Sequence, residues 1–199
     1  PGAASCVRLD VAEPGRLDSM RWLGVPDLPT AAAGEVVVEV RAAALNFRDL
    51  MWAIDLLPEE ALRDGFTGPT LGLECAGVVV STGAGVHDVA VGDRVMAFAP
   101  GTLASHIRTG PEALVKPPMG LGDREAATLP VAYMTAIYSL ETVARLSAGE
   151  WVLIHAAAGG VGLAAIRYAQ HVGARVIATA GSEAKRELLR TRGVEHVLD

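Results

Sequence analysis

The stretch HAAAGGVG at 155–162 constrains the fold more than any other part of the chain. It follows the apolar run WVLIHA and precedes LAAIRYAQ, whose apolar residues recur at helical spacing. A glycine cluster between a strand and a helix is how α/β folds bring backbone N–H groups and a helix N-terminus against a phosphate. In the dinucleotide fingerprint the first glycine makes a tight turn, the second lets the backbone approach the pyrophosphate, and the third lets helix and strand pack closely. Gly159 and Gly162 fit the second and third roles, and Ala157 occupies the first. The expected cofactor contacts are therefore Ala157, Gly159, Gly160, Val161 and Gly162. The alternative is a turn that only packs helix on sheet.

The flanking pattern favours nucleotide binding. A strand over 151–156, a helix over 161–172, a strand VIATA at 176–180, a helix over 182–192 and a third strand opening at HVL make a βαβαβ beginning. That is the grammar of one half of a doubly wound parallel sheet, so the chain reads as a C-terminally truncated piece of something longer. The end of the second strand decides which dinucleotide fits. A site for the unphosphorylated ribose places Asp or Glu there. This chain has Ser182 followed by Lys185 and Arg186, which suits a 2′-phosphate and hence NADPH; Glu183 is the residue that a small backbone shift would present to a ribose instead.

Residues 1–119 have a different grammar. CVRLDV, EVVVEVRAAAL at 35–45, CAGVVVST at 75–82 and DRVMAFA at 93–99 are short, β-branched and partly alternating. Turn residues at Ala33-Gly34, Gly83-Ala84-Gly85 and Gly92-Asp93 punctuate them, as in a small barrel or sandwich. One helix is expected at 47–54, with Phe47, Leu50, Met51 and Ile54 on one face. Lys116-Pro117-Pro118 reads as a rigid exit, giving domains at 1–119 and 120–199. Beyond it, Asp123 is expected to cap a short helix, and 131–146 to form a longer amphipathic one with Tyr133 and Tyr138 as packing residues.

Composition removes several function classes. A formal charge of −6 with only two lysines, Lys116 and Lys185, argues against non-specific nucleic-acid binding. Two cysteines without a CxxC exclude a disulfide scaffold. No apolar run reaches the length of a membrane span, and the opening PGAASCVRLD has no signal-peptide pattern, so a cytoplasmic protein is expected.

GLECAGVV at 72–79, VGDRV at 91–95 and HAAAGGVG, behind a β-rich first half, resemble the medium-chain dehydrogenase/reductase superfamily. LNFRDL (45–50), APGTLASHI (99–107), EAATLPVAYMTAIYSL (125–140) and WVLIHAAAGGVGLAA (151–165) narrow the resemblance to its zinc-free, quinone-reductase-like branch, and there to enoylreductase domains of modular polyketide synthases. The resemblance implies a GroES-like β-barrel domain followed by a Rossmann domain, here partial, with the active site in the cleft between them. It implies no metal, because Asn46 and Leu73 stand where zinc dehydrogenases place a Cys and a His; Cys75 and His106 remain without a metal-binding spacing.

The implied reaction is NADPH-dependent reduction of the α,β-double bond of an enoyl thioester carried on an acyl carrier protein, alongside other synthase domains, with a homodimer as one assembly. The resemblance implies that Asn46 and Asp49 line the cleft near the nicotinamide, where Asn46 could polarise a carbonyl or amide oxygen, and that Thr135 lies close to the nicotinamide. Asp49 could equally hold local structure, paired with Arg48. Leu57 stands where related enzymes carry a tyrosine regarded as proton donor, and the insert 58–69 is either a substrate mouth or an exposed helix-loop. A free-standing quinone or enone reductase and a non-catalytic megasynthase segment are the alternatives.

Overall fold

The computed structural model describes residues 6–25 and 30–199. Residues 1–5, part of the opening read for a leader, lie outside them. The chain divides into two compact units, the first ending at Pro130 and the second running Val131–Asp199.

The first unit holds β1 (Cys6–Val11), β2 (Met20–Val25), β3 (Val36–Ala44), α1 (Phe47–Ala53), α2 (Glu59–Arg63), β4 (Glu74–Thr82), β5 (Arg94–Phe98), β6 (His106–Thr109), β7 (Leu114–Val115) and α3 (Asp123–Ala126). β1 and β2 form an antiparallel hairpin, and the other strands an antiparallel sheet in the order β6-β3-β4-β5-β7. Alternation along these strands turns Val36, Val38, Cys75, Val79, Val95, Ala97 and Ile107 into one core, each large aliphatic contributing roughly 1.5–3 kcal/mol. β3 and β4 approach so closely at Gly77 that a Cβ there would lie 2.1 Å from the Glu39 carbonyl oxygen, so only glycine fits.

Two details differ from the sequence reading. α1 forms where expected, but Phe47 and Leu50 of the expected apolar stripe are exposed (75% and 47%), Met51 and Ile54 are half-buried, and Asp49 and Ala53 are the buried residues. Gly122, not Asp123, is the N-cap of α3; the Asp123 carboxylate instead accepts from Arg94 at 2.6 Å. Ala126 and Ala127 of this segment pack on Ala76 and Met96, which ties residues just past the Pro117-Pro118 exit to the first unit's sheet.

α4 (Pro130–Ile137) leads into the second unit and continues as a π-helical stretch, Tyr138–Val143. The single long amphipathic helix expected over 131–146 is thus broken in hydrogen-bond register. Tyr133 and Tyr138 are exposed rather than packed, because Ala136, Ala132 and Leu140 supply the face turned to the core. Then follow β8 (Trp151–Ile154), α5 (Gly160–Val172), β9 (Arg175–Thr179), α6 (Glu183–Thr191) and β10 (His196–Leu198). The strands are parallel in the order β10-β9-β8, the arrangement the βαβαβ pattern predicts. Ile154, Ala164, Ile166, Ala169, Val176, Ala178 and Leu189 fill the space between helices and sheet. No helix among the described residues is long and apolar enough to cross a membrane.

Candidate functional site

In the second unit the loop between β8 and α5 has the geometry of an anion cradle. Gly159 is the N-cap in extended conformation, and the first helical bond runs from the Leu163 N–H to the Gly159 carbonyl at 2.8 Å. The N–H groups of Gly160, Val161 and Gly162 precede that bond and are the donors a helix N-terminus offers. A Cβ on Gly160 would meet nothing within 4 Å, so the loop is open there to a ligand. At Gly162 a Cβ would lie 2.6 Å from Ala157 Cα and O, which is the close packing assigned to the third glycine. Ala157 itself is fully buried, and the left-handed residue of the tight turn is its neighbour Ala156 (φ 49°). The loop therefore fits a dinucleotide pyrophosphate, with Ala157 as packing and Ala156 as the turn.

At the end of β9 the charges are arranged differently from the sequence expectation. Ser182 caps α6 and its side chain makes no capping bond. Arg186 is not a free cation: its guanidinium donates to Glu183 (2.9 Å), to the Ala180 carbonyl (2.8 Å) and to Asp199. The parallel pairing of β9 and β10 brings Asp199 beside the end of β9, which sequence spacing could not reveal. Glu183 is held as a carboxylate by Arg190 and Arg186, its pKa lowered by those two bonds, so the acid that could address a ribose is already engaged. Lys185 has no ion pair among the described residues.

In the first unit Asn46 stands at the N-cap of α1, between β3 and the helix. Its Nδ2 donates to Oε1 of Glu74 at 3.1 Å, and its backbone N–H donates to Oδ2 of Asp49 at 2.8 Å. The other Asp49 oxygen accepts from the Gly72 N–H at 2.7 Å. Asp49 is 2% exposed, so both its oxygens are spent on backbone donors, and it holds the Asn46 and Gly72 loops in register. The Arg48 side chain does not bond to it but reaches the Gly68 and Thr70 carbonyls. Desolvation lowers the Arg48 pKa, with the neighbouring Asp49 charge opposing.

Glu74 is the site residue that sequence reading missed, although a carboxylate inside the apolar run GLECAGVVV was the available signal. Asn46 opens on a groove of about 450 Å³ whose walls are apolar, among them Leu9, Leu45, Phe47, Leu50, Leu71 and Leu103. Leu57 is half-buried just beyond α1. The insert forms the short helix α2 and then stacks Phe66 on Phe98 at 5.0 Å between centroids. Thr135 lies on the exposed side of α4.

The positions of the zinc-dehydrogenase ligands contain other chemistry. Leu73 is buried and Asn46 is bonded to Glu74. Burial, aided by the Glu74 charge, pushes the Cys75 thiol up to about 12, and His106 lies against Cys6 instead.

Residues 32–144 match the alcohol dehydrogenase GroES-like domain family, and residues 160–199 match the zinc-binding dehydrogenase family. The chain is 48% identical over 197 residues to a phenolphthiocerol/phthiocerol polyketide synthase of Mycobacterium tuberculosis, covering 98% of this chain and 9% of that protein. It is 44% identical to erythronolide synthase EryA2 of Saccharopolyspora erythraea, covering 92% of this chain and 5% of that one. Among solved structures, the CurK enoyl reductase superposes with a TM-score of 0.91 at 41% identity, covering 98% of this chain and 59% of the other. Escherichia coli quinone oxidoreductase complexed with NADPH superposes at 0.82 with 29% identity, covering 97% of this chain and 58% of that one. The chain therefore belongs to the medium-chain dehydrogenase/reductase superfamily, and within it to the enoylreductase domains of polyketide synthases. It spans less than a tenth of the synthases and about three-fifths of the reductase structures it matches.

Proposed function

We propose that this chain is the larger part of a domain that reduces the α,β-double bond of an enoyl thioester with NADPH, the thioester being carried on an acyl carrier protein during polyketide elongation. The observation that carries the reading is the Asn46 amide, fixed by buried Glu74 at the rim of an apolar groove. An apolar groove suits a hydrocarbon chain, and an amide at its rim suits a thioester carbonyl.

When bound, NADPH supplies the hydride that a carbon–carbon double bond needs. The chain's own residues do the rest. The N–H groups of Gly160, Val161 and Gly162 hold the pyrophosphate at the start of α5, and Ser182 with Lys185 receives the 2′-phosphate. Arg186 supports that pocket indirectly by tying Glu183 away from it and joining the ends of β9 and β10. Thr135, exposed on α4, would contact the nicotinamide. The second Nδ2 hydrogen of Asn46 donates to the thioester oxygen, where enolate charge gathers as the β-carbon is reduced. Asp49 acts by holding Asn46, as a positioning residue. With Leu57 in place of a phenol, proton delivery to the α-carbon falls to water or another group.

The other domains of a polyketide synthase are the expected neighbours. The likeness to quinone oxidoreductases favours a second reading, a free-standing quinone or enone reductase. Loss of nicotinamide absorbance with crotonyl-pantetheine against a simple quinone separates them. Turnover of the thioester alone, abolished in Asn46→Ala, supports the proposal. Faster turnover of the quinone overturns it.

A further inference from the structure

A second groove in the first unit, of about 580 Å³, is lined by Cys6, Arg8, Asp10, His106 and Arg108. Its chemistry is unlike that of the apolar groove beside Asn46, with which it shares Leu9 and Leu71 as wall. The polar lining follows from strand geometry. β1 and the segment entering β6 pair in antiparallel fashion, through a bridge between Arg8 and Ala104 and a 2.8 Å bond from the Ser105 N–H to the Val7 carbonyl. Continuing that register by two residues sets Cys6 opposite His106, and the two-residue alternation puts Arg8 and Asp10 on the Cys6 face and Arg108 on the His106 face.

The Cys6 Sγ lies 3.3 Å from the His106 Nδ1. Ser105 Oγ accepts the Val7 N–H at 2.9 Å and sits 3.1 Å from the same Nδ1. The Nδ1 thus has the Cys6 thiol and the Ser105 hydroxyl both within hydrogen-bond reach. The other cysteine is a built-in contrast. Cys75 has no exposed surface and a thiol pushed up to about 12, while Cys6 retains 4% exposure and borders a groove.

We propose that Cys6 and His106 form a nucleophilic pair that adds to soft electrophiles of the α,β-unsaturated carbonyl class entering this groove. In the step, the thiol proton passes to His106 Nδ1 as Sγ bonds to the β-carbon. The π electrons move onto the carbonyl oxygen as an enolate, and the imidazolium returns the proton to the α-carbon. The product is a thioether, formed without oxidant or reductant. The proposal goes beyond the reductase reading and is independent of it, since neither Asn46 nor the glycine loop takes part.

The experiment is a brief pulse of N-ethylmaleimide on the reduced, folded 199-residue chain, quenched and mapped by peptide mass spectrometry, with N-acetylcysteine as a free-thiol standard at the same pH. The expected result is alkylation of Cys6 faster than N-acetylcysteine and more than about tenfold faster than Cys75, with a drop of about tenfold at Cys6 in His106→Asn while Cys75 is unchanged. Cys6 slower than the free thiol, or no slower in His106→Asn than in wild type, overturns it. If His106→Asn makes Cys75 reactive, that variant has lost its fold, and the wild-type rate against N-acetylcysteine decides alone.

Discussion

Replacing Gly162 by alanine separates the packing role of the glycine loop from its ligand role. The added Cβ would meet Ala157 Cα and O at 2.6 Å and its carbonyl carbon at 2.7 Å. All three are backbone atoms at the start of a buried turn, so no side-chain rotation relieves the overlap and α5 must move off β8. Overpacking of this kind costs about 1–3 kcal/mol, and the higher helix propensity of alanine returns at most about 1 kcal/mol. With three backbone atoms overlapped the cost falls in the upper part of that range, about 2–3 kcal/mol, and a net loss of about 1–2 kcal/mol remains. For a unit of this size each kcal/mol moves the thermal midpoint by roughly 4–8 °C.

Gly160→Ala is the matched control, because its Cβ would meet nothing within 4 Å. Circular dichroism melts should give Gly162→Ala a midpoint lower by roughly 5–15 °C and Gly160→Ala one unchanged or raised, by the same scaling. Nicotinamide fluorescence titration should then find NADPH binding weakened in Gly160→Ala despite its intact fold. A Gly162→Ala protein melting with wild type would refute the packing argument.

Three further outcomes are expected. Ala156 holds a left-handed conformation that costs an L-residue about 1–2 kcal/mol, so Ala156→Gly should raise the melting midpoint once the entropy of glycine is offset; a lower midpoint would contradict this. Asp49→Asn puts an amide where two backbone donors need acceptors and should lower stability in urea by about 2 kcal/mol, with an Asp49→Asn protein as stable as wild type as the contrary result. The Cys75 thiol, ordinarily near 9, is raised to about 12 in the fold, so the neutral thiol is favoured there. Its contribution is complete below about pH 9 and lost as pH rises toward about 12. The stability difference between wild type and Cys75→Ala should shrink over that window, and one that is constant through it would remove the burial argument.

The parallel sheet and its glycine loop were legible because they rest on local signals: strand and helix periods, and glycine where backbones touch. The antiparallel strands of the first unit were legible for the same reason. What the sequence concealed depends on distant segments meeting. The α1 stripe of Phe47 and Leu50 has helical spacing, yet tertiary packing buries Asp49 because Gly72 arrives from a remote loop with a donor to satisfy. Arg186 reads as a free cation until β10 sets Asp199 beside it. The Cys6–His106 approach spans a hundred positions, and only the β1–β6 register creates it. The break at Tyr138 has no mark in an apolar run that suits α- and π-helical geometry alike.

The claim that most needs a direct measurement is that the glycine loop and the end of β9 hold a phosphorylated nicotinamide dinucleotide. Side-by-side titration of the 199-residue chain with NADPH and NADH, read by nicotinamide fluorescence and repeated with Lys185→Gln, tests it. Tighter binding of NADPH, with the difference removed in Lys185→Gln, is the predicted result. Tighter binding of NADH, or binding of neither by a chain whose circular dichroism is native, would contradict it.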